Sequence, residues 1–108
     1  MKNPLFIEKV YINGEFISND NTFEIINPST NKSIGSLPNL TVSDCKKAID
    51  AAQEAWLTWK NLTVGERCSI VRKIYEITLQ YKNELAEIMT LESGKPLTES
   101  LGEVDYGN

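Results

Sequence analysis

A break between two helices, at residues 89–97, constrains this chain more than any other stretch. Apolar residues at three-residue steps mark one face of the first helix: Leu85, Ile88 and Leu91. Gly94 can adopt the left-handed backbone that ends a helix, and Pro96 suits the first turn of the next one. The spacing therefore predicts a helix that stops just before Gly94 and another that starts near Pro96.

Glu92 is the unusual residue of this stretch, because a helix places it about 40° from Ile88, within the apolar face. A carboxylate that faces inward needs a partner, since burial of an unpaired charge is costly. Two kinds of partner are open at this point. One is an internal salt bridge or a helix N-terminus, and the other is a cation or a cofactor.

The first third of the chain, residues 9–38, has the pattern of an antiparallel β-ribbon. Asn13-Gly14 separates two short apolar runs, which is typical of a hairpin with a two-residue turn. A third strand is predicted at residues 22–26 and a fourth at residues 33–37. A ribbon this small needs other elements packed on it, because isolated hairpins are marginally stable in water.

Residues 41–107 have the pattern of three or four amphipathic helices. Two capping boxes, each a threonine with an acidic residue three positions later, begin the first two: Thr41 with Asp44, and Thr63 with Glu66. Asn83 is predicted to cap the third helix, and the fourth follows Pro96. Both long helices carry an apolar stripe, which we expect to lie against a core or an interface. The stripe residues are Val42, Cys45, Ala48, Ile49, Ala52, Ala55, Trp56 and Trp59 on the first helix, and Ile70, Val71, Ile74, Ile77 and Tyr81 on the second.

These patterns predict the α+β class: a short antiparallel β-ribbon followed by three or four amphipathic helices. The chain has 108 residues, so we expect a single unit over residues 1–108. The formal net charge of −4 argues against a nucleic-acid partner. No apolar run is long enough to span a membrane, and residues 1–6 lack the apolar core of a secretory signal, so a cytoplasmic location is expected.

The sequence contains no histidine and only two cysteines, Cys45 and Cys68. This composition gives no disulfide framework, no zinc site and no Ser–His or Cys–His nucleophile pair. Cys45 is expected to be a small core residue, because a nucleophile needs surroundings that stabilise a thiolate and none is visible in the sequence.

Three stretches together resemble the N-terminal part of the NAD(P)-dependent aldehyde dehydrogenase superfamily. Residues 11–16 read YINGEF, residues 23–30 read FEIINPST, and residues 89–97 read MTLESGKPL. The last stretch is similar to the succinate-semialdehyde dehydrogenase branch in particular. Four further residues match that branch: Glu99, Gly102, Glu103 and Tyr106. The resemblance covers about residues 9–107 and implies an N-terminal fragment of the α/β aldehyde dehydrogenase fold.

The resemblance implies oxidation of a small aldehyde to a carboxylate. In that family a cysteine thiolate attacks the carbonyl, hydride passes to NAD or NADP, and a glutamate activates water. These groups and the dinucleotide loop follow the GKP motif at a distance beyond residue 108. Neither Cys45 nor Cys68 matches the motif of the nucleophile. We therefore assign no catalytic and no cofactor-binding residue, and we expect the 108 residues alone to be inactive.

One site is partly carried over by the resemblance. In several members of the family, main-chain oxygens before the Asn-Pro turn and an acidic residue before Gly-Lys-Pro bind a monovalent cation. The matching positions are Ile25, Ile26 and Glu92. A cation there is one of the two partners left open for Glu92.

Two functional hypotheses follow. The leading one is the N-terminal part of a succinate-semialdehyde-type dehydrogenase, with NAD and NADP both open as its cofactor. The alternative is a non-catalytic interaction module whose apolar helix stripes pair with a complementary chain or with a second copy. The expected assembly is a homo-oligomer or an association with another chain through the exposed helices.

Overall fold

The computed structural model describes residues 3–108 as four short strands followed by four helices. The strands are β1 (Val10–Ile12), β2 (Glu15–Ile17), β3 (Thr22–Asn27) and β4 (Lys32–Pro38). The helices are α1 (Val42–Trp59), α2 (Val64–Gln80), α3 (Lys82–Ser93) and α4 (Leu97–Gly107). This order confirms the predicted α+β class. Residues 1–2 of the predicted single unit lie outside the described residues, and its extent stays a prediction.

The strands form two separate antiparallel ribbons, β1 with β2 and β3 with β4. Asn13 has a φ of 51° and Gly14 a φ of 85°, as the two central residues of a type I′ turn require. Tyr11 lies opposite Phe16, and their ring centroids are 5.3 Å apart in an edge-on contact. The predicted hairpin is therefore confirmed, and a cross-strand aromatic pair adds to its stability.

The ladder between β3 and β4 contains a β-bulge. Ile25 pairs with Gly35, whereas the next residue, Ile26, pairs with Ser33, so Ile34 is the extra residue on β4. A bulge interrupts the regular hydrogen bonding of a ladder and bends the strand that carries it. The pairing register therefore shifts between Ile25 and Ile26, and the bend lies in β4, opposite these two residues.

Both predicted capping boxes are present. The Thr41 Oγ1 accepts a hydrogen bond from the Asp44 backbone N–H at 3.3 Å, and Asp44 accepts one in return from the Thr41 backbone N–H. Thr63 and Glu66 make the same reciprocal pair at the start of α2. Four N–H groups of a helix start lack partners within the helix, so these side chains fix where α1 and α2 begin.

The prediction that Asn83 caps the third helix is wrong. α2 runs to Gln80, and Tyr81 serves both as its C-terminal cap and as the residue before α3. Asn83 therefore lies inside the first turn of α3. The two helices follow each other with no loop, so there is no room for a separate capping residue.

The predicted break between α3 and α4 is confirmed. Gly94 ends α3 with a φ of 74°, and its N–H donates to the Thr90 carbonyl oxygen at 2.9 Å. Pro96 then directly precedes α4. The break turns the chain so that α4 packs back against α3.

The core lies where α3 and α4 pack together and where α3 contacts β3. Ala86 and Ser100 are fully buried, and Val104 is only 7% exposed. The Ser100 and Thr90 hydroxyls are hydrogen-bonded at 2.8 Å, so the buried polar group has its partner. At the surface Lys82 of α3 pairs with Asp105 of α4, and Lys95, in the break between the helices, pairs with Glu103 of α4.

By contrast, neither α1 nor α2 contains a buried residue. Most of their large apolar side chains are exposed, and we call this set the open helix surface. Its residues are Val42, Ile49, Trp56, Leu57, Val64, Ile70, Val71, Ile74, Tyr75, Ile77 and Leu79. The predicted stripes therefore exist, but the chain does not cover them. Cys45 is exposed for the same reason, so its placement in a core is wrong for this chain.

The dimensions of the molecule agree with this uncovered surface. The radius of gyration is 16.6 Å, whereas a compact domain of this length would have about 13 Å. The accessible surface is 8248 Å², about a third more than the roughly 6,000 Å² typical of a monomer of this mass. Among the residues that the structure describes, no helix is long and apolar enough to cross a membrane.

Candidate functional site

The segment before β1, residues 3–8, lies across the β3–β4 ribbon and α3, and we call it the N-terminal arm. A cleft of about 120 Å³ lies beneath it. Its lining residues are Leu5, Phe6, Ile7 and Glu8 of the arm, with Ile25, Ser36, Leu37, Ile88 and Glu92 of the ribbon and α3. Ile25 and Glu92, two of the three residues predicted to hold a cation, are therefore brought to one cleft.

Ile25 and Ile26 stand on either side of the register shift in β3. Ile25 is half-buried and lines the cleft, whereas the Ile26 side chain is exposed and is not among the lining residues. The predicted role of both residues depends on their main-chain oxygens. The extra residue of the bulge lies on β4, and Ile25 and Ile26 lie opposite it, where the regular pairing of the ladder is interrupted.

Glu92 lies on the last turn of α3, on the wall of the cleft next to Ile88. The predicted neighbours are thus correct, but Glu92 is exposed rather than turned into a core. Its helix face borders the cleft and an open groove that also contains Ile74 and Val104. Within residues 3–108 no ion pair or hydrogen bond of its side chain is present, so the internal salt bridge left open by the sequence does not form there.

The turn after β3 contacts the end of α3 and so fixes the position of Glu92 with respect to Ile25. Buried Asn27 accepts two hydrogen bonds at its Oδ1, from the Ser29 N–H at 2.9 Å and the Thr30 N–H at 3.3 Å. The Ser29 hydroxyl then donates to the Gly94 carbonyl oxygen at 3.3 Å. A side chain on Gly94 would meet the Pro28 ring at 2.8 Å, so the turn and the helix break fit closely. This contact holds the end of α3 against the ribbon.

Sequence reasoning missed two contributors to this site. One is Asn27, although an Asn followed by Pro and Ser is a known signal for a side chain that hydrogen-bonds its own turn. The other is the N-terminal arm, whose sequence has neither the apolar periodicity of a helix nor that of a strand. Its contacts are with residues far along the chain, such as Glu84, and no local pattern encodes them.

The three residues predicted to hold a cation would offer oxygen donors, which suit a hard cation better than a transition metal. Main-chain oxygens of Ile25 and Ile26 with the Glu92 carboxylate are all oxygen donors, which hard cations prefer. Among residues 3–108 there is no group of three His, Cys, Asp or Glu side chains that could hold a metal ion. Glu92 and Glu8 both line the cleft, and the Glu8 carboxylate already accepts a hydrogen bond from the Ser36 N–H.

The two cysteines lie on α1 and α2, away from the residues that line this cleft. Cys68 lines an open groove with Trp59, Arg67 and Arg72. The sequence has no histidine to act as a base for either thiol. The geometry gives neither cysteine a catalytic arrangement.

Comparison with known proteins connects these features to one family. The sequence model of the aldehyde dehydrogenase family matches residues 16–108. The chain is 39% identical over 104 residues to a glutarate-semialdehyde dehydrogenase of Pseudomonas putida, covering 94% of this chain and 22% of that enzyme. It is 38% identical over 104 residues to the NADP(+) succinate-semialdehyde dehydrogenase of Escherichia coli, with the same coverage.

A solved structure shows the same relation in three dimensions. The crystal structure of a succinate-semialdehyde dehydrogenase from Burkholderia pseudomallei superposes with a TM-score of 0.91 at 39% identity. The superposition covers 98% of this chain and 23% of that one. The chain thus spans about a fifth of the length of the relatives it matches, and the resemblance first seen in short motifs is confirmed over nearly its whole length.

Proposed function

We propose, because this chain belongs to the aldehyde dehydrogenase family, that it forms part of an enzyme that oxidises a small aldehyde to a carboxylate. The substrate class is a semialdehyde, most simply succinate semialdehyde, and the electron acceptor is NAD or NADP. The observation that supports this most strongly is the superposition of 98% of the chain on a succinate-semialdehyde dehydrogenase. Family relatives that bind NAD or NADP support the cofactor class.

In this proposal the chain contributes a structural segment, and the reacting groups belong to other parts of the family fold. The matched relatives are about four to five times longer, and within residues 3–108 neither cysteine has a base beside it, since the sequence contains no histidine. The purified 108-residue chain should therefore not reduce NADP+ in the presence of succinate semialdehyde. Turnover by this material that is lost when Cys45→Ser and Cys68→Ser remove both thiols would contradict this part of the proposal, because the chain would then supply its own nucleophile.

A chimera tests the positive part of the proposal. Residues 3–108 would replace the matching segment of the E. coli succinate-semialdehyde dehydrogenase. We expect a folded chimera that oxidises succinate semialdehyde with NADP+, because the two segments share a fold and 38% of their residues. A chimera that folds to the size of the parent enzyme but has no activity would refute the assignment.

We further propose that the main-chain oxygens of Ile25 and Ile26, with the Glu92 carboxylate, hold a monovalent cation. The position of Ile25 and Glu92 at one cleft supports this assignment, as does the interrupted pairing of Ile25 and Ile26 opposite the bulge in β4. Crystals soaked in rubidium should show an anomalous peak next to Glu92. The peak should disappear in Glu92→Gln and remain in the control Glu99→Gln, whose carboxylate is exposed on α4 and does not line the cleft. A native crystal with no peak there would contradict the site.

The exposed apolar residues of α1 and α2 favour a second candidate, an interaction module that binds a complementary chain or a second copy. Multi-angle light scattering separates the two candidates. An oligomer of one defined size would support the module, whereas a broad distribution of aggregates would support a segment that lacks its normal cover. The cytoplasmic location expected from the sequence stays a prediction, and cell fractionation would test it.

A further inference from the structure

We propose that the N-terminal arm is a detachable strap that governs access to the cleft of Ile25 and Glu92. The arm contributes no strand or helix, since residues 3–9 have no regular hydrogen-bonded ladder. It nevertheless supplies one complete wall of the cleft, from Leu5 to Glu8. Moving the arm would open the cleft without disturbing the ribbon or α3 beneath it.

The first fastening of the strap is Asn3. Its Nδ2 donates to the Glu84 carbonyl oxygen at 2.8 Å and to the Glu87 carboxylate at 2.7 Å, both on α3. Its Oδ1 accepts a hydrogen bond from the Leu5 N–H at 3.0 Å, and its carbonyl oxygen accepts one from the Phe6 N–H at 3.1 Å. The Asn3 side chain and its main-chain oxygen thus fold the arm into a turn, and the side chain attaches that turn to α3.

The second fastening joins the arm to β4. The Glu8 carboxylate accepts a hydrogen bond from the Ser36 N–H at 2.9 Å. The Phe6 ring lies directly over Gly35, where an added Cβ would be 2.6 Å from the nearest ring carbon. Only a residue without a side chain allows the ring this close to the strand. The absence of a Cβ at position 35 is therefore what lets the strap close.

No residue of the arm is buried: Pro4, Ile7 and Glu8 are exposed, and Asn3, Leu5 and Phe6 are half-buried. Segments with few buried apolar contacts open at the low end of the stability range of a protein. The strap can therefore release while the core of α3 and α4 stays folded. This inference rests on the proposed cation cleft for its role, but the closed position of the strap depends only on the contacts above.

The substitution Gly35→Ala tests the strap directly. The new methyl group overlaps Phe6 and comes within 2.9 Å of the Glu8 carboxylate, so the arm must move. Gly102→Ala is the matched control, because a Cβ there has open space. Access to the cleft is measured as the rate at which a thiol reagent modifies the cysteine introduced by Leu37→Cys, in a chain carrying Cys45→Ser and Cys68→Ser. Leu37 lines this cleft and none of the other grooves described above.

We expect Gly35→Ala to raise the modification rate about tenfold or more, as local opening of a weakly held segment would. Hydrogen exchange of the Ser36 amide should rise in parallel, while Gly102→Ala changes neither. Asn3→Ala should also raise both rates. Because Asn3 lies outside the ribbon, this variant tests the strap even if Gly35→Ala disturbs the structure of β4. Unchanged rates in Asn3→Ala, or in a folded Gly35→Ala, would overturn the strap.

The thiol and exchange readouts need no cation. A chain that shows strap release but no rubidium peak would refute the cation proposal alone. A chain that shows the rubidium peak, but whose thiol modification and amide exchange rates are the same in the variants, would refute the strap alone.

Discussion

The two halves of this chain have the same kinds of local sequence signal but differ in how much of their apolar surface is buried. In one half, the β3–β4 ribbon, α3 and α4 bury Ala86, Ser100 and Val104 among themselves. In the other half, α1 and α2 have complete capping boxes and clear apolar stripes, yet no residue of either helix is buried. We call these the closed half and the open half.

The difference teaches that capping and periodicity decide where helices form, whereas burial depends on what the rest of the chain provides. A capping side chain contributes about 1 kcal/mol, and fully burying one large apolar side chain contributes about 1.5–3 kcal/mol. The open half has the first contribution and lacks most of the second. In the proposed enzyme the missing cover comes from other parts of the family fold.

The largest effect is expected from a charge placed in the closed half. Val104→Asp puts a carboxylate at a position that is 7% exposed, so the free energy of unfolding should fall by roughly 3 kcal/mol or more. Val71→Asp, on the open half at 57% exposure, should change it by less than about 0.5 kcal/mol. Urea denaturation followed by circular dichroism measures both, and equal losses would remove the distinction between the halves.

The next effect concerns the helix break that joins α3 to the ribbon. Gly94→Ala forces a residue with a Cβ into a left-handed backbone and against Pro28, which should cost about 2 kcal/mol. Gly102→Ala, in the middle of α4 with open space around it, should instead stabilise the chain by about 0.5–1 kcal/mol. If the two substitutions shift the urea midpoint in the same direction, the close fit at Gly94 is wrong.

A smaller effect is expected from the caps of the open half. Thr41→Ala and Thr63→Ala each remove the hydroxyl that accepts the N–H of the third helical residue, at about 1 kcal/mol each. Serine at either position should retain most of that stability. Thr58→Ala, inside α1, serves as the control. Hydrogen exchange by NMR should show the loss in the capped helix alone, and a loss spread over α3 and α4 would mean that the halves are coupled.

The smallest effect we expect is a loss of stability of α1 and α2 at low pH. The Lys47 ammonium and then the Thr41 hydroxyl and N–H hold the pKa of Asp44 well below its usual range, and the Thr63 hydroxyl and N–H lower the pKa of Glu66. A carboxyl whose pKa is lower in the folded chain stabilises it at pH above the unfolded value, roughly 4. That contribution is lost as the pH falls through the folded values.

Helicity of the open half should therefore decrease below about pH 4, because both carboxylates cap its helices. Asp44→Asn with Glu66→Gln should flatten the acid transition measured by circular dichroism. Glu54→Gln, an exposed carboxylate on α1, should leave it unchanged. A transition of the same depth in the double variant would assign the acid effect to other groups.

Much of the fold could be predicted because its signals are local. The Asn13-Gly14 turn, the two capping boxes and the Gly94 break each depend on a few adjacent residues, and all four are present. Asn83 failed because Tyr81 links α2 to α3 without a loop, and no short motif records that junction.

The site was harder to predict because its geometry is not local. Helical spacing correctly put Glu92 beside Ile88, but it did not show that this face borders an open cleft. The contact of Pro28 and Ser29 with Gly94, and the position of the N-terminal arm, join residues far apart in sequence. The apolar stripe of α1 led to the prediction that Cys45 is buried, and this prediction is wrong. A stripe indicates which face of a helix is apolar, but it does not indicate what covers that face.

Sedimentation velocity of the 108-residue chain tests the central claim, that the open helix surface is made to be covered, most directly. We predict concentration-dependent association of the unmodified chain, and a monomer when Ile49→Glu and Val71→Glu, both at exposed positions, are introduced together. Ser43→Glu with Glu54→Gln, at exposed polar positions of α1, should associate like the unmodified chain. A single compact monomer for the unmodified chain at every concentration would contradict the claim.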